Sequence, residues 1–390
     1  MFRVLYNNNT LFICLFYRRH TSPVISSGRR ESQGDTDAVT EQPGINSLPF
    51  VDISRFTAKG PERGEFLNAF RRILHDHGFF YLTGHGVAPQ LIDDVLMGAR
   101  RFFALPDAEK LTIDMIHSPH FRGYTRPGWE YTRGERDWRE QLDVNSETEA
   151  VPLSPDDPPW RRLSGPNQWP SALPELRPLL LAYQAEATRV AITVLRAIAA
   201  ALGQDDDVFR EVYEPLPTQL LKLIRYPGRQ ETTSAQGVGP HKDGGLVTIL
   251  LQDTVEGLRV RTEEGVWLNA PPIPGTFVVN TGELLEMATN GFVRADIHDV
   301  ISPPAGSERF SVAFFLGARL DATIPLVELP EPLRAKCRGL TADPLNPLFR
   351  EVGRNVLKGR LRSHPDVARR HHADLLSLDE QNRQTSASAY

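Results

Sequence analysis

A series of short strand-like runs between residues 218 and 320 limits the possible folds more than any other feature of the sequence. Glycine, proline and acidic residues separate the runs, as expected of strands joined by turns. The runs are QLLKLIRYP, LVTILLQD, GLRVRT, VWLNAPP, TFVVN, RADIHDVISP and RFSVAFFLGARL. The apolar-periodic segment ELRPLLLAYQAEATRVAITVLRAIAAALG comes before them and predicts a helix that ends at Gly203 and supports a sheet. Helices followed by closely spaced strands predict a mainly β protein with bracing helices, with a β-barrel or a double-sheet jelly roll as its core.

The folded part is predicted to begin at LPFVDISRF, residues 48–56, which indicates a short strand. RGEFLNAFRRILHDHG has the apolar stripe of a helix, and Gly78 at its end is predicted to be the C-terminal cap. FFYLTGHG indicates a second strand. We therefore divide the folded chain into four parts: an N-terminal module of helices and short strands (47–150), bracing helices (151–215), a jelly-roll core (216–320) and a C-terminal helical tail (321–390).

Residues 1–46 differ in composition from the rest of the chain. Their apolar run LFICLFY is far shorter than the roughly 20 residues that a membrane span requires, so no transmembrane helix is predicted. No Asp or Glu precedes Glu31, whereas five arginines do. This segment is interpreted as a disordered or targeting-like extension, with an organellar transit peptide as one alternative.

Charge and cysteine content exclude several classes of function. The net charge is −5 and the basic residues are scattered, so the sequence offers no basic stripe for nucleic acid and no polybasic anchor for a membrane surface. Only Cys14 and Cys337 are present, which excludes a disulfide framework and a cysteine-based zinc site. A metal ion would have to be held by histidines and carboxylates, and we expect a cytoplasmic protein.

The segment GPHKDGG, residues 239–245, places a histidine and an aspartate one residue apart. If the segment is extended, His241 and Asp243 point to the same side and can bind one ion. His298, in the strand-like run RADIHDVISP, can supply a second imidazole from a neighbouring strand. Two imidazoles and one carboxylate on one face of an ion form the facial triad of non-haem ferrous oxygenases, which leaves the other face open for substrates and dioxygen.

Other histidines compete for this role. The segment SHPDVARRHHADLL has His364 and Asp366 in the same order, with two more histidines after them, but it is Arg-rich and predicted to be helical, without a strand to carry a distal ligand. We therefore prefer the site around His241. The remaining histidines are interpreted as structural or, in the loop MIHSPHFRG, as loop or substrate-lining residues: His75, His77, His85, His117 and His120.

A candidate receptor for a carboxylate follows the distal histidine. In RFSVAFFLGAR, Arg309 and Ser311 fall on the same face of a predicted strand. A guanidinium stays charged and binds a carboxylate in bidentate fashion, and a neighbouring hydroxyl adds a further donor. Taken alone, Arg309 would be interpreted as a surface arginine. Beside the predicted iron triad, we interpret the pair as a carboxylate-binding site.

With these residues in place, the sequence resembles the isopenicillin N synthase-like family of ferrous iron and 2-oxoglutarate-dependent dioxygenases. The resemblance extends from LPFVDISRF to about LGARL and includes HGFFYLTGHGV, RFFALPDAEK, LIRYP, HKDGGLVTILLQD, VVNTGELLEMATNG and RFSVAFFL. It implies a double-stranded β-helix (jelly-roll) core, so that residues 47–150 are the N-terminal dioxygenase module and 216–320 the catalytic core. The implied ligands are His241, Asp243 and His298 for iron, and Arg309, Ser311 and Tyr226 for the cosubstrate.

One residue departs from the family pattern. An arginine commonly follows the distal histidine in this family, whereas Asp299 follows His298 here. Since neighbouring residues of a strand face opposite ways, Asp299 is predicted to point away from the metal, and we expect activity to survive.

The resemblance implies an enzyme that oxidises a small molecule, of the secondary-metabolite or amino-acid-like kind, with release of succinate and carbon dioxide. The oxidation would be a hydroxylation, a desaturation or a ring closure, with Fe(II), 2-oxoglutarate and dioxygen as cofactor and cosubstrates and ascorbate as a candidate stimulant. The aromatic-rich segment 121–143 is predicted to form the substrate wall, with Tyr124 and Trp129 lining it. The alternatives are an iron oxidase of the same family that needs no 2-oxoglutarate, and a non-catalytic cupin-like binding protein.

Overall fold

A computed structural model describes residues 47–232, 234–340 and 346–376. The predicted N-terminal extension, residues 1–46, lies outside the described residues, as does the end of the predicted tail. Two β-sheets form the centre of the molecule, and helices pack against the outer face of the larger sheet. None of the described helices is both long enough and apolar enough to cross a membrane.

The strands build one large sheet, one small sheet and a hairpin. They are β1 (Phe50–Asp52), β2 (Phe79–Thr83), β3 (Gly123–Thr125), β4 (Tyr131–Thr132), β5 (Glu135–Arg136), β6 (Glu140–Asn145), β7 (Gln219–Tyr226), β8 (Gln236–His241), β9 (Val247–Gln252), β10 (Leu258–Arg261), β11 (Trp267–Asn269), β12 (Phe277–Thr281), β13 (His298–Ile301) and β14 (Arg309–Leu316). The large sheet has the order β1-β2-β12-β9-β14-β7-β6-β3, and the small sheet has the order β11-β10-β13-β8. β4 and β5 pair only with each other. Two mainly antiparallel sheets that share an inner core confirm the predicted jelly roll, and the described strands do not close into a barrel.

The helices include the predicted long helix, which packs against β9 and β14 of the large sheet. They are α1 (Pro61–Asp76), α2 (Pro89–Phe103), α3 (Asp107–Leu111), α4 (Leu176–Ala201), α5 (Arg210–Tyr213), α6 (Glu283–Ala288), α7 (Glu331–Arg334), α8 (Val352–Ser363) and α9 (Pro365–His371). Single 3₁₀ turns lie at Ile53–Thr57, Met115–His117, Pro159–Leu163 and Arg229–Glu231. After α4, Gly203 adopts a positive φ of 74°, the left-handed conformation of a glycine cap.

The predicted role of Gly78 is wrong. α1 ends at Asp76, and Gly78 is not among the described glycines with positive φ, so it is no left-handed cap. A Cβ atom at this position would lie 2.9 Å from the carbonyl oxygen of Arg294 and from the backbone nitrogen of Asp296. Glycine is needed here because two backbone segments approach closely, and the Gly78 N–H donates to the Asp296 carboxylate at 2.8 Å.

Two apolar layers of the described residues lie on the two sides of the large sheet, and a smaller cluster lies around α8 and α9. On β14, Phe310, Val312 and Phe314 belong to the apolar layer beneath the helices, whereas Ala313 belongs to the inner layer between the two sheets. Strand alternation therefore turns Arg309 and Ser311 toward the inner layer together with Ala313. The space between the sheets, here called the inter-sheet space, is where the predicted site residues meet.

Candidate metal and cosubstrate site

The predicted triad is brought together at the ends of two adjacent strands. β8 ends at His241 and β13 begins at His298, and these two residues are paired in the small sheet. Asp243 lies two residues after the end of β8, so the strand ends two residues before the end of the extended segment that was expected. The Asp243 Oδ1 atom lies 3.5 Å from His241 Nε2 and 3.7 Å from His298 Nε2. One ligand atom from each residue lies within 4.8 Å of the other two.

Hydrogen bonds fix the orientation of the Asp243 carboxylate. Its Oδ2 atom accepts from Thr248 Oγ1 at 2.5 Å and from Asn280 Nδ2 at 2.8 Å, which leaves Oδ1 facing the two imidazoles. Burial opposes ionisation, but the two histidines and the Asn280 hydrogen bond outweigh it and hold the pKa of Asp243 well below its usual value. The group is therefore a carboxylate, the form that binds metal ions.

Backbone carbonyls orient both imidazoles. His241 Nδ1 lies 2.9 Å from the carbonyl oxygen of Gly239, and His298 Nδ1 lies 3.4 Å from that of Asp296. Because a carbonyl oxygen can only accept, each Nδ1 atom carries a proton, which leaves Nε2 as the nitrogen that can bind a metal ion. Burial and the neighbouring His241 lower the pKa of His298 to about 4, so this ring is neutral at physiological pH.

Two imidazole nitrogens and one carboxylate oxygen that converge on one point fit one face of a ferrous ion, the facial-triad arrangement. Within the part of the chain that the structure describes, no second group of three His, Cys, Asp or Glu residues has this geometry. The competing tail residues have other partners: His364 Nε2 lies 3.4 Å from Glu130, and His371 and His372 contact the backbone carbonyls of Ile116 and Pro119. Within the described part of the tail, the alternative metal site is not assembled.

Arg309 lies fully buried in the inter-sheet space, paired across the sheet with Tyr226. Its Nη2 atom donates to Gln252 Oε1 at 2.9 Å, its Nη1 atom lies 3.4 Å from Ser311 Oγ, and its guanidinium carbon lies 4.9 Å from the centre of the Tyr226 ring. Among the described residues, Nε has no hydrogen-bond partner, and no carboxylate pairs with this guanidinium. An unpaired buried charge is costly, so the site fits an anionic ligand such as the distal carboxylate of 2-oxoglutarate.

Asp299 points away from the triad, as predicted. It pairs with Arg259 on β10, whose Nε and Nη2 atoms lie 2.9 Å and 2.6 Å from the two carboxylate oxygens. The Arg259 guanidinium also lies over the Trp267 ring, at 4.9 Å. Asp299 therefore takes part in a bidentate ion pair on the opposite face of the small sheet.

The two residues predicted to line the substrate wall are not brought to the triad. Tyr124 packs in the helix-side core, where its hydroxyl donates to Glu140 Oε2 at 2.6 Å. Trp129 is 40 % exposed and stacks with the Arg126 guanidinium at 4.3 Å.

Sequence reasoning missed three supporting residues: Thr248, Asn280 and Gln252. Each is a polar residue at an inward position of a strand-like run that is otherwise apolar, in LVTILLQD or TFVVN. This interruption was the available signal, because a polar side chain that faces a core needs a buried hydrogen-bond partner.

Comparisons with known proteins agree with this geometry. Residues 48–172 match the family described as the non-haem dioxygenase in morphine synthesis N-terminal domain, and residues 217–318 match the 2OG-Fe(II) oxygenase superfamily. The chain is 38 % identical to a 2-oxoglutarate-dependent dioxygenase, frbJ, from Dothideomycetidae sp. (strain 11243), over 83 % of this chain and 91 % of that one.

The chain belongs to the 2OG-Fe(II) oxygenase superfamily.

Two further relatives extend the comparison. This oxygenase is 34 % identical to a homoarginine-6-hydroxylase from Arabidopsis thaliana, over 73 % of this chain and 89 % of the relative. Its fold matches a Neurospora crassa protein crystallised with α-ketoglutarate and 5-formyluracil, with a TM-score of 0.64, 26 % identity and coverage of 81 % and 96 % of the two chains. It is therefore an oxidoreductase that uses Fe(II), 2-oxoglutarate and dioxygen to oxidise a small molecule, and the non-catalytic alternative is set aside.

Proposed function

We propose that this oxygenase binds iron through His241, Asp243 and His298, binds 2-oxoglutarate through Arg309, Ser311 and Tyr226, and hydroxylates an amino-acid-like small molecule. The observation that carries the proposal is Arg309, a fully buried arginine without a carboxylate partner among the described residues, in the same inter-sheet space as the triad. A buried guanidinium selects a dicarboxylate cosubstrate because its charge is compensated only when the ligand is bound.

The chain's own residues bind, orient and exclude water. Asn280 and Thr248 hold the Asp243 carboxylate so that Oδ1 faces the ligand side, and Gln252 fixes one side of the Arg309 guanidinium. Iron, when bound, supplies dioxygen activation, with 2-oxoglutarate as the reductant that becomes succinate and carbon dioxide. Apolar residues of the inter-sheet core keep bulk water away from the reacting groups.

Two relatives support the substrate class. One is named for hydroxylation of homoarginine, and the Neurospora crassa structure contains 5-formyluracil, so both involve small polar molecules. Hydroxylation is favoured over desaturation or ring closure by the hydroxylase relatives. The dispersed basic residues support an enzyme without nucleic-acid or membrane partners, and we extend the proposal to a cytoplasmic location.

The test is a screen for stimulated succinate release. Purified full-length protein with Fe(II), 2-oxoglutarate and ascorbate is incubated with L-homoarginine, other L-amino acids or 5-formyluracil, and succinate, oxygen uptake and product mass are measured. We expect at least one compound to stimulate succinate release together with a product that has gained one oxygen atom. Turnover without 2-oxoglutarate and without succinate would instead establish the oxidase alternative, with Arg309 reassigned to the substrate's carboxylate.

A further inference from the structure

Three polar side chains form a row along the inward face of β6. Gln141 pairs across the sheet with Ile224, which belongs to the inter-sheet core, and Asp143 pairs with Lys222. Arg139 precedes the strand by one residue, and alternation places it on the same side as Gln141 and Asp143. We call these residues, Arg139, Gln141 and Asp143, the β6 row. Its members follow one another at intervals of about 7 Å.

Each member of the β6 row has at least one buried polar atom without a hydrogen-bond partner among the described residues. These atoms are Arg139 Nε, both side-chain atoms of Gln141, and Asp143 Oδ1. Gln141 and Asp143 are fully buried, and the Arg139 side chain is 11 % exposed. Buried polar atoms in folded proteins are nearly always hydrogen-bonded, so three consecutive inward positions of this kind indicate a ligand that supplies the partners.

Ion pairs hold the charged members of the row in place. Arg139 Nη2 lies 2.6 Å from Glu130 Oε2, and Asp143 Oδ2 accepts from Arg360 Nη1 on α8 at 2.8 Å. Lys222 bridges the two, with its Nζ atom 3.0 Å from Glu130 and 3.3 Å from Asp143. The charged groups are thus fixed in position, while Arg139 Nε and Asp143 Oδ1 have no hydrogen-bond partner among the described residues.

The row starts at the metal centre. The Asp137 carboxylate, 3.6 Å from the Arg139 guanidinium, accepts from the backbone N–H of Gly239, two residues before His241. Arg139 also lies beside Tyr226, the residue paired with Arg309 across the large sheet. From this end the row leads away from the triad to Arg360.

We propose that the β6 row is the substrate-recognition site, and that the substrate is a zwitterionic, amino-acid-like molecule. Its anionic group binds Arg139, and its ammonium or other hydrogen-bond-donating group binds Asp143, with Gln141 as donor and acceptor between them. Donors and acceptors at opposite ends of one row discriminate a zwitterion from a simple acid or amine, because each charge of the ligand meets its complement. The inference rests on the proposed function.

The decisive variant is Gln141→Met in the full-length protein. Binding is measured by calorimetry under nitrogen, with Fe(II) and 2-oxoglutarate present, for L-arginine, L-lysine, L-leucine, L-glutamate and L-homoarginine. We expect affinity for the compound that binds to fall at least about tenfold. The unfolding temperature should not fall, since an apolar side chain of similar shape replaces an amide that has no hydrogen-bond partner among the described residues.

Gln184→Met is the matched control. Gln184 lies on α4 within the helix-side part of the molecule, and its Nε2 atom is likewise buried without a partner among the described residues. This substitution should leave affinity unchanged. A lower unfolding temperature with unchanged affinity in Gln141→Met would show that Gln141 is a structural residue and overturn the proposal.

Matched ligands test the two charged ends. For the amino acid that binds, Arg139→Gln should weaken binding of the free acid but not of its methyl ester. Asp143→Asn should weaken binding of the same amino acid but not of its des-amino analogue. Equal losses for both members of a pair would overturn the assignment, and binding of none of the amino acids would overturn the substrate class. If succinate release is stimulated by a substrate and depends on Arg309, but Gln141→Met binds that substrate normally, only the assignment of the β6 row is wrong. If no compound stimulates succinate release, both the assignment of the β6 row and the proposed function fail.

Discussion

The triad and the β6 row face the same inter-sheet space, but their polar atoms are satisfied in different ways. At the triad, the atoms that point away from the ion are held by Thr248, Asn280 and two backbone carbonyls. In the β6 row, ion pairs hold some atoms of the charged groups, and other polar atoms lack partners among the described residues. The iron site is therefore prepared by the fold alone, whereas the β6 row needs a ligand to complete it.

Arg309 lies between these two extremes. Gln252 and Ser311 contact its terminal nitrogens, but Nε and the positive charge remain uncompensated within the described part of the chain. The inter-sheet space thus contains a fully supported metal site, a partly supported anion site and a polar row with several atoms that lack partners among the described residues. Substitutions should have effects that follow this order.

Removal of a triad ligand should have the largest effect. His241→Ala, Asp243→Ala and His298→Ala each delete one of only three protein ligands, so we expect strongly weakened iron binding and no turnover. The iron content of the purified variants measures iron binding, and succinate release measures turnover. His364→Ala is the control and should keep wild-type iron content; full activity in any triad variant would contradict the assignment.

Arg309→Gln should have the next largest effect. If Arg309 holds the distal carboxylate of 2-oxoglutarate, the loss is roughly 2 to 5 kcal/mol, or about 30-fold to several thousand-fold in affinity. The apparent KM for 2-oxoglutarate should rise while iron content stays unchanged, because the triad is untouched. Ser311→Ala should act in the same direction but more mildly, and an unchanged KM in Arg309→Gln would exclude this role.

Loss of the hydrogen bond from Asn280 to Asp243 tests whether the surrounding residues strengthen metal binding by the triad. Asn280→Leu removes one of two donors to Asp243 Oδ2, and such changes typically weaken metal binding by about 10- to 100-fold. Titration of the metal-free protein with Fe(II) measures the shift. Thr248→Val removes the other donor and should behave alike; wild-type affinity in both variants would mean that the three ligands suffice.

The smallest effect is expected at Asp299. Because its ion pair with the partly exposed Arg259 lies on the opposite face of the small sheet, Asp299→Asn should leave iron content and the KM for 2-oxoglutarate unchanged. Stability should fall by about 1 kcal/mol or less. Chemical unfolding and steady-state kinetics together check this, and a loss of iron would show that the residue after the distal histidine acts on the metal.

Local patterns were enough to predict much of the fold and the site. The period of α4, the strand alternation that puts Arg309 beside Ser311, and the left-handed Gly203 are all properties of short segments. The triad was also predictable, because its residue types and order are restricted by the chemistry of iron ligation. β8 was missed because Gly237, Gly239 and Pro240 weaken the strand signal in QGVGPH.

Whether a given face of a strand is buried or exposed to solvent was decided by the segments that pack against it. In EQLDVN, alternation separates apolar Leu142 and Val144 from polar Gln141 and Asp143, and such a polar face ordinarily meets solvent. Here the polar face is buried, and Arg360 of α8, more than 200 residues away in the chain, pairs with Asp143. The sequence by itself determined which residues share a face, since that follows from backbone geometry. Whether the face meets water or a ligand depended on distant segments that only the tertiary structure brings together.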